Sequence, residues 1–193
     1  MPDSSLVYLN AGSNLRFPDH FTDTSRSIRL SGEAFFEISK DPSRPFKIST
    51  ENTETRVLGT VFNLKAYPGE ETELVVVEGK VRFGRAAKQV VLTANQLASF
   101  DAAADKLSSR NVYAGAYAAW KQNRLIFRDS RLPEIAAVLE RWYGIRVEIR
   151  NKALENMIFT GTYENPSLQA ILDDMSSVMK FTYTQQGEQL IIQ

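Results

Sequence analysis

Residues 6–112 consist of short apolar runs of strand character, each closed off by turn residues, and this pattern leaves few architectures open. The runs are Leu6–Leu9, Ser27–Leu30, Ala34–Ile38, Phe46–Ser49, Thr55–Leu58, Val61–Tyr67, Leu74–Val77, Val81–Phe83, Val90–Leu92, Leu97–Phe100 and Lys106–Val112. Val, Ile, Phe and Thr dominate them, side chains that suit a pleated, half-buried surface. Asn10-Ala11-Gly12, Pro18-Asp19, Ser31-Gly32, Asp41-Pro42, Pro68-Gly69 and Glu78-Gly79 supply turn chemistry in between. With no helical period in the intervals, the expectation is an all-β sandwich, barrel or solenoid.

The pattern changes at residues 114–123, where the Ala-rich stretch Ala114–Trp120 favours a helix. The boundary is expected there, with an all-β domain over 1–113, a junction over 114–123 and a second domain over 124–193. That second domain repeats itself at an offset of 36 positions. Phe127 aligns with Tyr163, Asp129 with Asn165, Leu132 with Leu168, Ile135 with Ile171, Leu139 with Met175 and Ile145 with Phe181. Each unit reads strand, cap, helix, strand. Asp129 and Asn165 are the expected caps, with Pro166 at the first helical position. The apolar stripes Leu132, Ile135, Val138, Leu139, Trp142 and Leu168, Ile171, Leu172, Met175, Val178 mark the buried helix faces. Gly144 is placed to end the first helix in a left-handed conformation. The predicted fold class is α+β: an N-terminal all-β domain, solenoid-like or sandwich, followed by a small α/β domain with a repeated βαβ unit.

Composition narrows the function classes. The 193 residues carry 23 basic and 23 acidic side chains, so no global field draws the chain to nucleic acid or anionic lipid. No window approaches the roughly 18 consecutive apolar residues of a membrane span. Met1-Pro2-Asp3 leads into a strand without a signal-peptide pattern. Cysteine is absent, which rules out disulfides and thiolate metal sites. Neither G-x-G-x-x-G nor G-x-x-x-x-G-K-[ST] occurs, so no cofactor is expected.

Few residues offer chemistry. His20, the only histidine, lies in a turn segment and reads as a solvated loop residue rather than a metal ligand. Glu33 and Glu37 would stand about 13 Å apart on one strand face. Glycosidase carboxyl pairs are closer, at roughly 5–9.5 Å, so both read as surface carboxylates. Arg82, Arg85 and Lys88 read as a solvated strand edge. Gly59-Thr60 is the one peptide bond with reactive character. A threonine hydroxyl can attack the carbonyl preceding its own nitrogen, and glycine permits the twisted backbone this needs. A glycine bulge between strands is the structural alternative.

The motifs resemble a known family. Leu9-Asn10-Ala11-Gly12-Ser13 with Leu15-Arg16-Phe17-Pro18, Leu30 to Ile38 with Asp41-Pro42-Ser43-Arg44-Pro45-Phe46, Val57 to Leu64, and Val77-Glu78-Gly79-Lys80-Val81 resemble, in order, the periplasmic region of Bacteroidetes-type FecR anti-sigma regulators. Trp120, Leu125 and Phe127 resemble the W-x-x-G-x-L-x-F junction, with Asn123 in the glycine position. Residues 124–193 are similar to the secretin/TonB short N-terminal (STN) domain.

The resemblance implies a short solenoid-like β-stack, a periplasmic location and an inner-membrane anchor outside this sequence. It further implies a relay without turnover. The partners would be the signalling domain of a TonB-dependent outer-membrane transporter and, through a cytoplasmic segment outside this sequence, an extracytoplasmic-function sigma factor. Some relatives cleave themselves at the position of Gly59-Thr60, which is the only enzymatic step expected. Partner binding is assigned to Phe181, Tyr183, Leu190, Ile191 and Ile192, on the expectation that the last strand lies at a sheet edge. The rival readings are a carbohydrate-binding module presenting Tyr8, Phe17, Phe21 and Tyr67, or a scaffold of a secretion assembly.

Overall fold

The computed structural model describes residues 1–193, which form two compact units, Met1–Lys121 and Gln122–Gln193. The first unit is organised by one long strand, β3 (Arg26–Glu37). Period-two alternation runs through it: Arg26, Ile28, Leu30, Gly32, Ala34 and Phe36 are buried, and Ser27, Arg29 and Ser31 are exposed. Ser31-Gly32, expected as a turn, is instead a corner within this strand. Gly32 has φ +106°, and a Cβ there would lie 2.6 Å from the Cα of Ser13.

Along one side of β3 run β1 (Leu6–Leu9), paired with Ala34–Glu37, and β2 (Asn14–Arg16), paired with Arg29–Ser31. The remaining strands are β4 (Phe46–Ser49), β5 (Glu54–Val57), β6 (Val61–Ala66), β7 (Thr72–Glu78), β8 (Lys80–Arg85), β9 (Lys88–Thr93), β10 (Gln96–Asp101) and β11 (Lys106–Asn111). The spatial order is β11-β10-β7-β6-β3-β4-β5-β8-β9, so β3 is shared by two half-sheets. The sheet curls until β9 lies beside β7 and β10. All of its ladders except β3–β4 are antiparallel, and it closes almost into a barrel. The solenoid expectation is therefore corrected: a solenoid stacks repeats, whereas these strands enclose one core.

That core contains Phe36 and Phe62, stacked at 5.0 Å, with Leu30, Phe46, Ile48, Leu64, Leu74, Phe83 and Phe100, all at most 1 % exposed. Burial of such side chains is worth about 1.5–3 kcal/mol each. Residues 114–122 form a 3-10 helix, and up to Lys121 they belong to the first unit rather than to a free linker. Ala114 packs with Val75 and Leu97 on the outer sheet surface.

In the second unit, α1 (Leu132–Tyr143) and α2 (Leu168–Met179) start 36 residues apart and are both 12 residues long. The offset also relates backbone conformations: Asp129 and Asn165 have φ +47° and +46°, and Gly144 and Lys180 have +67° and +57°. Asp129 and Asn165 are not the helix caps. Asp129 sits in a bulge and exchanges hydrogen bonds with the Thr160 hydroxyl. The cap positions are Arg131, whose N–H donates to Glu134, and Ser167, whose hydroxyl accepts from the Ala170 N–H, so Pro166 precedes the cap. Val178 is exposed, and Met179 takes its place in the core.

The strand–helix–strand order recurs, but the strands flanking each helix do not share a sheet. β12 (Arg124–Arg131) pairs antiparallel with β14 (Ile158–Glu164). β13 (Arg146–Ile149), β16 (Gln189–Ile192) and β15 (Tyr183–Gln186) form a separate sheet in that spatial order. The expected repeated βαβ unit is thus not formed. Asn123 has φ +54°, the conformation anticipated for a residue standing where the family carries glycine.

Candidate functional site

Two places carry the candidate residues. The first is the Gly59-Thr60 peptide, where the chain passes from β5 in one half-sheet to β6 in the other. Thr60 is buried, and its hydroxyl donates to the Lys80 carbonyl at 3.1 Å. The Thr60 carbonyl accepts from the Ile38 N–H at 3.0 Å and the Leu58 carbonyl from the Asp41 N–H at 2.8 Å. Two glycines allow this packing. A Cβ on Gly59 would lie 2.6 Å from the Cα of Lys40, and one on Gly79 would lie 3.1 Å from the Thr60 hydroxyl and 3.2 Å from the Gly59 carbonyl oxygen. The peptide is therefore wedged between the Lys40 backbone and the Glu78-Gly79-Lys80 crossing.

The loop behind Lys40 is tied together by hydrogen bonds to one carboxylate. Asp41 accepts from the Ser43 hydroxyl at 2.6 Å, from the Ser43 and Arg44 N–H groups, and from Arg44 Nε at 2.8 Å. The Ser43 bond first, then Arg44, holds the Asp41 carboxyl far below the ordinary range. Arg26, which the sequence reading passed over, anchors this loop from inside. Its Nη1 donates to Asp3 at 2.7 Å and to the Ser39 carbonyl at 2.8 Å, and Nε donates to the Arg44 carbonyl at 2.9 Å. The guanidinium also lies 5.3 Å from the Phe46 ring centroid. Asp3 and Ser5 complete the hub, because the Ser5 hydroxyl donates to Asp3 and accepts from the Ser39 N–H. The signal was present in the alternation of β3, where position 26 is the one charged residue on the inward face.

Glu33 and Glu37 are not idle surface carboxylates. Glu33 accepts from the side-chain amides of Asn10 at 2.7 Å and Asn63 at 2.8 Å, and Asn63 in turn accepts from Trp120 Nε1 at 3.2 Å. Glu37 pairs with Lys121 at 3.1 Å, and the Lys121 ammonium lies 3.8 Å from the Phe35 ring centroid and 4.4 Å from that of Tyr8. The end of the 3-10 helix is thereby fastened to the β1–β3–β6 surface. His20 is exposed, and no group of three His, Asp or Glu side chains converges in the chain. Of the aromatics weighed for glycan binding, Phe21 packs on Phe46 at 5.8 Å and Tyr67 is buried with its hydroxyl on the Ala11 carbonyl, so the four do not form an exposed platform.

The second place is the three-stranded sheet of the C-terminal unit. β16 lies at its centre, parallel to β13 and antiparallel to β15. This corrects the expectation of a terminal edge strand. Leu190 and Ile192 are fully buried, Phe181 is 5 % exposed and Ile191 is half-buried. Leu190, Ile192 and Phe181 are core side chains, whereas Ile191 alternates to the other face of the central strand, outside that core. Tyr183 differs: it stands on β15, an edge strand, with its hydroxyl donating to Asp173 at 2.6 Å, a bond that raises its pKa. Thr182 and Gln193 exchange both backbone hydrogen bonds, at 2.8 and 2.9 Å. By antiparallel alternation, Thr184 then faces β16, while the backbone groups of Tyr183 and Gln185 point to the open side. No helix in the chain is long and apolar enough to cross a membrane.

Comparison with known proteins follows the same division. The family model described as "FecR protein" matches residues 1–82, and the one described as "FecR, C-terminal" matches residues 124–192. Two crystal structures of a "putative anti-sigma factor" from Parabacteroides distasonis ATCC 8503 are similar to this chain at 27% identity, with TM-scores of 0.94 and 0.93. The alignments cover 100% of this chain and 92% and 91% of those chains. No curated protein matches the chain.

Proposed function

The chain belongs to the FecR family of signalling regulators, and on that premise we propose that it is the periplasmic, signal-receiving part of an anti-sigma regulator. In this reading the C-terminal unit binds the N-terminal signalling domain of a TonB-dependent outer-membrane transporter. The signal passes to an extracytoplasmic-function sigma factor through an inner-membrane helix and a cytoplasmic segment. The observation that carries the proposal is the open side of β15, whose Tyr183 and Gln185 backbone groups are free to add a strand. The apolar residues Phe181, Leu190 and Ile192 serve as the rigid support behind that edge.

Calorimetric titration with a signalling domain tests this. Binding is expected, and Gln185→Pro should weaken it about tenfold by removing an outward N–H that β16 does not use. Full-strength binding by the proline variant would move the site off this edge. No binding at high concentration would remove the relay reading, and self-association without a transporter domain would favour a scaffold.

A second reading concerns Gly59-Thr60 and rests on the wedged, glycine-lined setting of that bond. The Thr60 hydroxyl oxygen adds to the Gly59 carbonyl carbon, the C–N bond breaks, and the hydroxyl proton ends on the Thr60 nitrogen. Water then hydrolyses the ester to a Gly59 carboxylate and a free Thr60 amine and hydroxyl. The Lys80 carbonyl, already holding the hydroxyl proton, favours the oxygen's attack.

A further inference from the structure

The zero net charge of the chain conceals a segregated surface on the first unit. On the half-sheet β3-β4-β5-β8-β9, the outward residues stand in register as a row: Ser27 opposite Lys47, Lys47 opposite Arg56, Arg56 opposite Arg82, and Arg82 opposite Val91. Three cations on adjacent strands are thus directly opposite one another, and all are exposed. Lys80 follows on β8, and the next row adds Arg29 with Arg16 opposite it. None of these six forms an ion pair within 4 Å. The acids nearby are Glu54, opposite Ser49 and Gly84, and Glu51, beside Arg16 and Arg29 in a shallow cleft. Like charges directly opposite one another weaken a sheet. A row of three therefore works against folding unless an external anion neutralises it.

From this row we infer that the outer face of β4, β5 and β8 docks electrostatically on an anionic lipid surface. Side chains stand perpendicular to a sheet, so Lys47, Arg56 and Arg82 all project from the outer face, on strands about 4.8 Å apart. A headgroup layer needs only charge to bind such a face. A protein partner fits less well, because interface centres are depleted in charge and rich in aromatic anchors, and this row carries only Val91 as an apolar member. Single-stranded nucleic acid on a sheet face requires stacking aromatics, and this face has none.

The test is co-sedimentation of the full chain with phosphatidylcholine vesicles, with and without phosphatidylglycerol, at low and physiological salt. Binding is expected only to the phosphatidylglycerol vesicles, and it should weaken with salt. The triple variant Lys47→Gln/Arg56→Gln/Arg82→Gln should lose roughly 100-fold in partitioning, about fivefold per charge. It should fold at least as stably as the parent, because the repulsion is gone. Lys40→Gln/Lys106→Gln/Lys152→Gln removes the same charge from other exposed positions and should bind nearly as well as the parent. Three results overturn the inference: no partitioning onto anionic vesicles at low salt, equal losses in both triple variants, or capture of soluble polyglutamate without vesicle binding.

Discussion

Replacing Asp3 by asparagine tests whether the first unit depends on its buried arginine. The Arg26 and Asp3 side chains are 0% and 6% exposed, so the substitution leaves a full positive charge in the interior without its counter-ion. Breaking such a pair costs about 3–5 kcal/mol, and because the amide oxygen can still accept a hydrogen bond, the lower value of about 3 kcal/mol applies. With a urea dependence of about 1.5 kcal/mol per molar, the midpoint should fall by about 2 M. Trp120 lies in the first unit and Trp142 in the second, so a Trp142→Phe background makes fluorescence report on the first unit alone. The pH dependence supplies the second check. Burial by itself would raise the Asp3 pKa, but the hydrogen bonds from Arg26 and Ser5 outweigh it and leave it lowered. A carboxyl depressed by folding stabilises the fold above its unfolded pKa, about 3.9, and loses that contribution as pH falls through the folded value. The stability gap between parent and variant should therefore be constant near neutrality and close in acid. A cost below about 1 kcal/mol, or a gap that persists in acid while both proteins remain folded, would refute the reasoning.

Two further outcomes follow from the packing. If Gly59-Thr60 is cleaved, intact mass under denaturing conditions should resolve fragments 1–59 and 60–193, and Thr60→Ala should abolish them; one full-length mass after long incubation would exclude the reaction. The fragments should co-elute natively, since β6 pairs with β3 and β5 with β8 across the cut. Lys121→Met keeps the aliphatic stem but removes the ammonium from Tyr8, Phe35 and Glu37, a local loss of about 1–2 kcal/mol. Amide exchange should accelerate over residues 114–121 and stay unchanged in the second unit; unaltered exchange would show that the 3-10 helix is held by other contacts.

Alternation made most strands legible, and the 36-residue offset located both helices. What sequence reading lost was pairing. Ser31-Gly32 carries turn composition, yet inward positions 26 to 38 keep their period through it, so β3 was divided in two. β2 is short, and its outer residues Asn14 and Arg16 are polar, which left no apolar signal. Lys47, Arg56 and Arg82 come from strands distant in sequence, and only the register across β4, β5 and β8 brings them together. Lys121 and Glu37 are likewise separated by 84 positions, and Trp120 and Asn63 by 57. β16 misled for a related reason: its place in the middle is set by parallel pairing with β13, 43 positions earlier at Arg146 and Gln189, a contact no local pattern encodes.

The undivided β3 has a mechanical consequence. Because one backbone is the spine of both half-sheets, neither can swing as a separate flap. Tension along that backbone loads the flanking ladders in shear, with many bonds resisting at once. Under a pulling force the first unit should hold and then yield in a single event, while the second unit gives way on its own.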